Sequence, residues 1–171
     1  MNVDGEFGPL EYAGGLWVVG DPDRAHVRLT PRGISHWADG AETVELRWPR
    51  FMSFGLETQV SRRGDSKRLI RVAKIAANLA GAVYVGSQGS RAAAMLRHPY
   101  EEWSADFDHH VRKYTRREIT MADALLRHTI AAGKGERLGD PAWVAAAVSA
   151  MRGVPSARRA RAAVESMLRA G

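Results

Sequence analysis

A chain of 171 residues with 45% hydrophobic content can bury a core of its own, and the absence of cysteine excludes disulfides, thiol nucleophiles and thiolate metal sites. The formal net charge of +6 is uneven: residues 1–60 carry 5 basic and 9 acidic side chains, residues 61–118 carry 12 and 6, and residues 119–171 carry 8 and 4. Summed like charge attracts anions, yet 21 of the 25 basic residues are Arg in a chain rich in Ala and Gly, a usage that high-GC coding DNA produces without any ligand.

The first half reads as short strands divided by turn chemistry. Leu16–Val19 is a strand, Gly20-Asp21-Pro22-Asp23 a turn, and His26–Thr30 a second strand that alternates polar and apolar residues. Pro31-Arg32-Gly33 turns the chain into Ile34–Trp37. Asp39-Gly40 is a strong hairpin signal, and Thr43–Trp48 resumes the alternation with Val44, Leu46 and Trp48 on one face. Phe51–Val60 reads as a bent strand, because Pro49 interrupts the ladder and Gly55 weakens it. Arg62–Asp65 is a turn, Lys67–Ala80 fits strand or helix equally, and Ala82–Val85 is the last strand expected.

From Pro99 the spacing of Tyr100, Trp103, Phe107, Val111 and Tyr114 predicts an aromatic-striped helix, with Pro99 in its first turn. Thr115 and Glu118 form a capping box for the next helix, striped by Ile119, Ala122, Leu126 and Ile130 and stopped at Gly133. Asp140 and Pro141 open another, with Val144, Ala147, Val148 and Met151 inward and Gly153 ending it. Ser156 caps a last basic helix carrying Ala160, Val164 and Met167. The expectation is α+β: an antiparallel β-rich domain over residues 1–114, sealed by an amphipathic helix, then a small helical array over 115–171. The pattern change falls between residues 85 and 100.

The hairpin Leu29-Thr30-Pro31-Arg32-Gly33-Ile34 followed by Val44-Glu45-Leu46-Arg47-Trp48 resembles the middle of bacterial pleckstrin-homology-like (PH-like) domains. The likeness covers about 30 residues, Val27 to Leu56. It implies a partly open barrel of about seven strands closed by a C-terminal amphipathic helix, for which Pro99–Tyr114 is the candidate, and a role in binding lipids, peptides or proteins. The lipid-binding kind places Lys and Arg in an early strand loop. Asp21 and Asp23 with Arg24 stand there instead, which disfavours phosphoinositides.

Four groupings carry possible chemistry. Gly86, Ser87, Gly89, Ser90 and Arg91, ahead of Ala92–Leu96, read as strand, glycine loop and helix, where freed amides hold a phosphate with help from Arg91 or Arg97. The segment matches neither a Walker A loop nor a dinucleotide fingerprint, and a plain turn before a short helix is the preferred reading. Glu102, Asp106, Asp108, His109 and His110 have ligand chemistry, but under the helical stripe Glu102, Asp106 and His109 are a solvated face rather than a metal site. No His-Glu-x-x-His pair or nucleophile elbow occurs, and His26, His36, His98 and His128 are scattered. Arg152, Arg158, Arg159, Arg161 and Arg169 form the densest positive cluster, a solvated helix face or a phosphate-contacting one. Of the five Trp residues, most are expected to fill the core.

Three readings follow. The first is a non-catalytic interaction module without cofactor or metal, whose partner is a protein or a second copy. The second is nucleic-acid binding through the basic half, and the third is an enzyme or binder of a phosphorylated small molecule at Gly86–Arg91. No apolar run approaches the ~20 residues that span a bilayer, and the N-terminus lacks a leader pattern, so a cytoplasmic protein with no membrane insertion is expected.

Overall fold

The structure, a computed structural model, describes residues 5–58, 90–112 and 114–170. Nine strands and three α-helices are formed among these residues, so the fold is α+β. The first six strands are an antiparallel meander in chain order: β1 (Glu6–Phe7), β2 (Leu10–Ala13), β3 (Leu16–Val19), β4 (His26–Leu29), β5 (Gly33–Ala38) and β6 (Ala41–Arg47). A second antiparallel sheet has the order β7 (Phe51–Glu57), β8 (Ser90–Leu96), β9 (Glu101–Phe107). No continuous ladder among the described residues joins the two sheets into a closed barrel.

Turn chemistry sets the meander. Asp39 and Gly40 both take positive φ, 53° and 75°, the pairing that a two-residue hairpin needs to match strand twist, and Ala38 faces Ala41 across it. Gly14 and Gly15 make the equivalent turn between β2 and β3. Val44, Leu46 and Trp48 lie on the core side, as their alternation requires. Pro49 falls in a short 3-10 turn, Trp48–Arg50, that carries the chain from the first sheet into the second.

The stretch Arg91–Leu96 is a strand, not a helix. Its helix-favouring alanines are overridden by tertiary packing: Ala92, Ala94 and Leu96 alternate into the core, and small side chains suit the central strand of a covered sheet. The aromatic-striped helix from Pro99 to Tyr114 is likewise absent. Pro99 lies in the β8–β9 turn after a cis peptide bond, and Glu101–Phe107 forms β9. Two of the five stripe residues prove exposed, Tyr100 at 72% and Val111 at 101%, so the three-and-four spacing was coincidental. The operative period is two: Trp103, Ala105 and Phe107 turn inward while Glu102, Ser104 and Asp106 turn out. The change from strands to helices therefore comes at Thr115.

The helices are α1 (Arg116–Ala131), α2 (Pro141–Arg152) and α3 (Ala157–Ala170). Thr115 and Glu118 make the full capping box at the start of α1, and the Asp140 carboxylate caps α2 through the N–H groups of Ala142 and Trp143. Ile119, Ala122, Leu126 and Ile130 are buried, as are Val144, Ala147, Val148, Met151, Ala160 and Val164. Most of these side chains join Trp17, Leu29, Ile34, Trp48, Phe54 and Leu96 in one core cluster, so residues on both sides of position 114 share it. Trp17 also donates its indole N–H to the Pro141 carbonyl at 3.1 Å. Gly139 sits against the β4–β5 turn, where a Cβ would come within 2.2 Å of Pro31 N. No helix among the described residues is long and apolar enough to cross a membrane. The expected turn at Arg62–Asp65, the ambiguous Lys67–Ala80 and the strand Ala82–Val85 lie outside the described residues.

Candidate functional site

Among the described residues two antiparallel sheets present four outer edges, and three are engaged by other parts of the chain. At β1 the Glu6 carbonyl accepts from the Arg152 guanidinium, and Arg112 Nε stands 2.8 Å from the Glu6 carboxylate. At β7 the Leu56 N–H donates to the Asp123 carboxylate of α1 at 2.8 Å. At β9 the Asp106 carbonyl lies 2.9 Å from His36 Nε2, and Asp108 exchanges backbone bonds with Asp21 and Ala25 on the β3–β4 turn. The Thr43 hydroxyl lies 2.6 Å from His36 Nδ1 and donates to the His36 carbonyl at 3.1 Å, which holds the ring in this position.

The fourth edge, β6, is left uncovered by the described residues. Thr30 and Gly33 exchange N–H to C=O bonds of 2.8 and 3.3 Å, which directs the polar groups of Gly33 toward β4. Antiparallel alternation then directs those of Ile34 toward β6, where its partner is Leu46. Leu46 is thereby bonded inward, and the flanking Glu45 and Arg47 aim their N–H and C=O groups away from β5. The Trp48 N–H donates back to the Arg32 carbonyl, in phase with this count. Among the described residues nothing bonds to the outer side of β6, and Ala41, Glu42, Thr43, Glu45 and Arg47 are exposed. Exposed backbone donors and acceptors along a strand are a template for another strand.

The side chains on this edge give it a polarity. Glu45 and Arg47 share the solvent face, while half-buried Val44 and buried Leu46 lie on the core side. Thr43 is an extra residue in β6, set where the register shifts between His36 and Trp37.

The sequence-predicted sites fall elsewhere. Gly86, Ser87 and Gly89 lie outside the described residues. Ser90 begins β8, is buried, and turns its hydroxyl to His109 Nε2. Arg91 is exposed but paired with Asp106 at 2.8 Å, and Arg97, at the far end of the strand, donates to the Phe51 carbonyl at 3.2 Å. The expected helix N-terminus behind the glycine loop does not exist. In the basic cluster, Arg152 reaches across to β1 and Arg161 pairs with Glu165 at 2.7 Å, while Arg158, Arg159 and Arg169 are exposed on α3.

Sequence reasoning missed a half-buried polar cluster that fastens the segment between β9 and α1 to the meander. His110 Nε2 lies 2.7 Å from Glu11 without hydrogen-bond alignment, and the His110 Nδ1 contacts the Tyr114 hydroxyl, which also accepts from the His110 N–H at 3.0 Å. His109 stacks between Phe107 and Tyr114, with centroid distances of 6.4 and 5.0 Å. Burial lowers the pKa of both histidines, helped at His110 by Arg112, and raises that of Tyr114. The Glu11 carboxyl is raised, first by burial and then by Glu6. Neutral rings are thus favoured, and the cluster acts as a fastener. The expected solvated face of Glu102, Asp106 and His109 is split, since the first two are on the outer face of β9 and His109 is packed inside; the described residues hold no metal-binding group of three ligands.

No protein-family model, no curated protein and no solved structure matches this chain.

Proposed function

We propose that this chain is a non-catalytic protein-interaction module that takes an extended segment of its partner as an added strand along β6. One observation carries the reading: among the described residues three sheet edges are engaged by Arg152, Asp123 and His36, and the fourth, seven residues long, is left uncovered with the Glu45 and Arg47 backbone groups aimed outward. Main-chain bonds would supply affinity. Specificity would come from the alternating faces, apolar beside Val44 and Leu46 and charged beside Glu45 and Arg47. A partner strand running antiparallel needs a base opposite Glu45 and an acid opposite Arg47.

The meander and its hairpins support retaining the PH-like reading as part of this proposal, with α1, which packs on β7, in the place first expected of Pro99–Tyr114. The pairing of Arg91 with Asp106 weighs against a phosphate site there.

The test is selection of extended peptides from a display library, followed by binding to the wild type and to Glu45→Pro. Proline at position 45 removes an outward N–H and leaves the β5 ladder intact. Peptide binding should fall at least tenfold in the variant, about 1.4 kcal/mol. Undiminished binding, or preferential binding of duplex nucleic acid with a steep salt dependence, would overturn the reading.

A further inference from the structure

We infer that the strand fitting the β6 edge is the β6 strand of a second copy of this chain, paired antiparallel about a two-fold axis at Leu46. The inference rests on the reading of β6 as a docking edge and names its occupant.

The required partner sequence, read from its N-terminus, is acid, apolar residue, base: the acid meets Arg47, the base meets Glu45, and the residue between them faces the core side. Glu45-Leu46-Arg47 is that sequence. A two-fold axis perpendicular to the sheet keeps each face on its own side, so a residue pairs with one of like facing. Centred on Leu46, Glu45 of each copy lies opposite Arg47 of the other, and Leu46 lies opposite itself. The backbone agrees with this register. Glu45 and Arg47 are the residues whose N–H and C=O groups point outward, so each Glu45–Arg47 pair exchanges two main-chain bonds across the axis.

Charge selects this register over its neighbours. Centring on Glu45 would set two carboxylates face to face, and centring on Val44 would place Glu45 opposite Thr43 with no charge partner. Mixed charge on an exposed edge normally guards against indiscriminate pairing. At alternate positions of opposite sign it also permits one self-complementary pairing.

Sedimentation velocity from low to high micromolar concentration tests this on the full chain, with Glu45→Arg, Arg47→Glu and the double variant, each checked for native far-UV circular dichroism. The wild type should dimerise. Each single exchange turns two attractive cross-strand pairs repulsive and should weaken dimerisation about tenfold or more. The double exchange should restore it. Mixing the two single variants should give a heterodimer, since two bases on the edge of one copy then face two acids on the edge of the other. If a variant fails to fold, concentration-dependent protection of the wild-type Glu45 and Arg47 amides gives the same answer. A wild type that stays monomeric, or single variants that dimerise unchanged, would overturn the inference. Library peptides that still lose binding in Glu45→Pro would, in that event, leave the docking-edge reading standing.

Discussion

His109 and His110 fix the chain between β9 and α1 as neutral rings, and the physical reason is burial against Phe107, Tyr114 and Glu11. His26 and His128 are lowered in the same way, chiefly by burial. For each of these groups the unfolded chain takes up a proton first as pH falls through the ordinary histidine value of about 6.5. Stability is therefore level above that value and declines below it. Glu11 works against this: its raised pKa lets the folded state hold a proton that the unfolded chain has released just above the usual carboxyl value of about 4.5, so acidification through that window favours folding at this one site. Urea unfolding between pH 7.5 and 5.5 should show a falling midpoint, with a shallower fall in His110→Gln. A midpoint unchanged over that range would refute the account of the fastener.

Among the elements, the helices stand on local chemistry. The Thr115 hydroxyl accepts from the Glu118 N–H while the Glu118 carboxylate accepts from the Thr115 N–H at 2.7 Å, so Thr115→Ala should cost about 1 kcal/mol in chemical denaturation. The same local character made α1, α2 and α3 readable from the sequence: caps, stripes and stop signals all lie within a few residues of one another. Hairpins marked by Asp39-Gly40 and Pro31-Arg32 were readable for the same reason. β8 and β9 were not. Ala92-Ala93-Ala94 favours a helix in isolation, and only contact with β7 and the core makes it a strand. In β9 the inward Ala105 gives a weak period-two signal, which the chance spacing of Trp103, Phe107 and Tyr114 outweighed. Glu6–Phe7 is too short to carry periodicity, and Leu10-Glu11-Tyr12-Ala13 lacks the β-branched residues that marked the equally short Leu16–Val19.

At the scale of the whole molecule, the β6 edge could not be recognised from the sequence, although the strand itself was. Being an edge is a property of what the rest of the chain does: Arg152 is 105 positions from Arg47 and Asp123 lies in a helix, yet they are what occupy the competing edges. The Glu45-Leu46-Arg47 triplet was visible as alternation, and its meaning as a self-complementary signal appears only once the direction of the Leu46 backbone is known. Charge asymmetry pointed to the helices instead, where Arg161 and Arg152 turn out to be engaged within the chain. Amide hydrogen exchange resolved by residue tests the docking edge most directly. In dilute protein the Leu46 amide should exchange slowly and those of Glu45 and Arg47 fast, and both fast amides should become protected when a library-selected peptide saturates the protein. Glu45 and Arg47 amides that are already slow in dilute solution, or that stay fast at saturation, would contradict it.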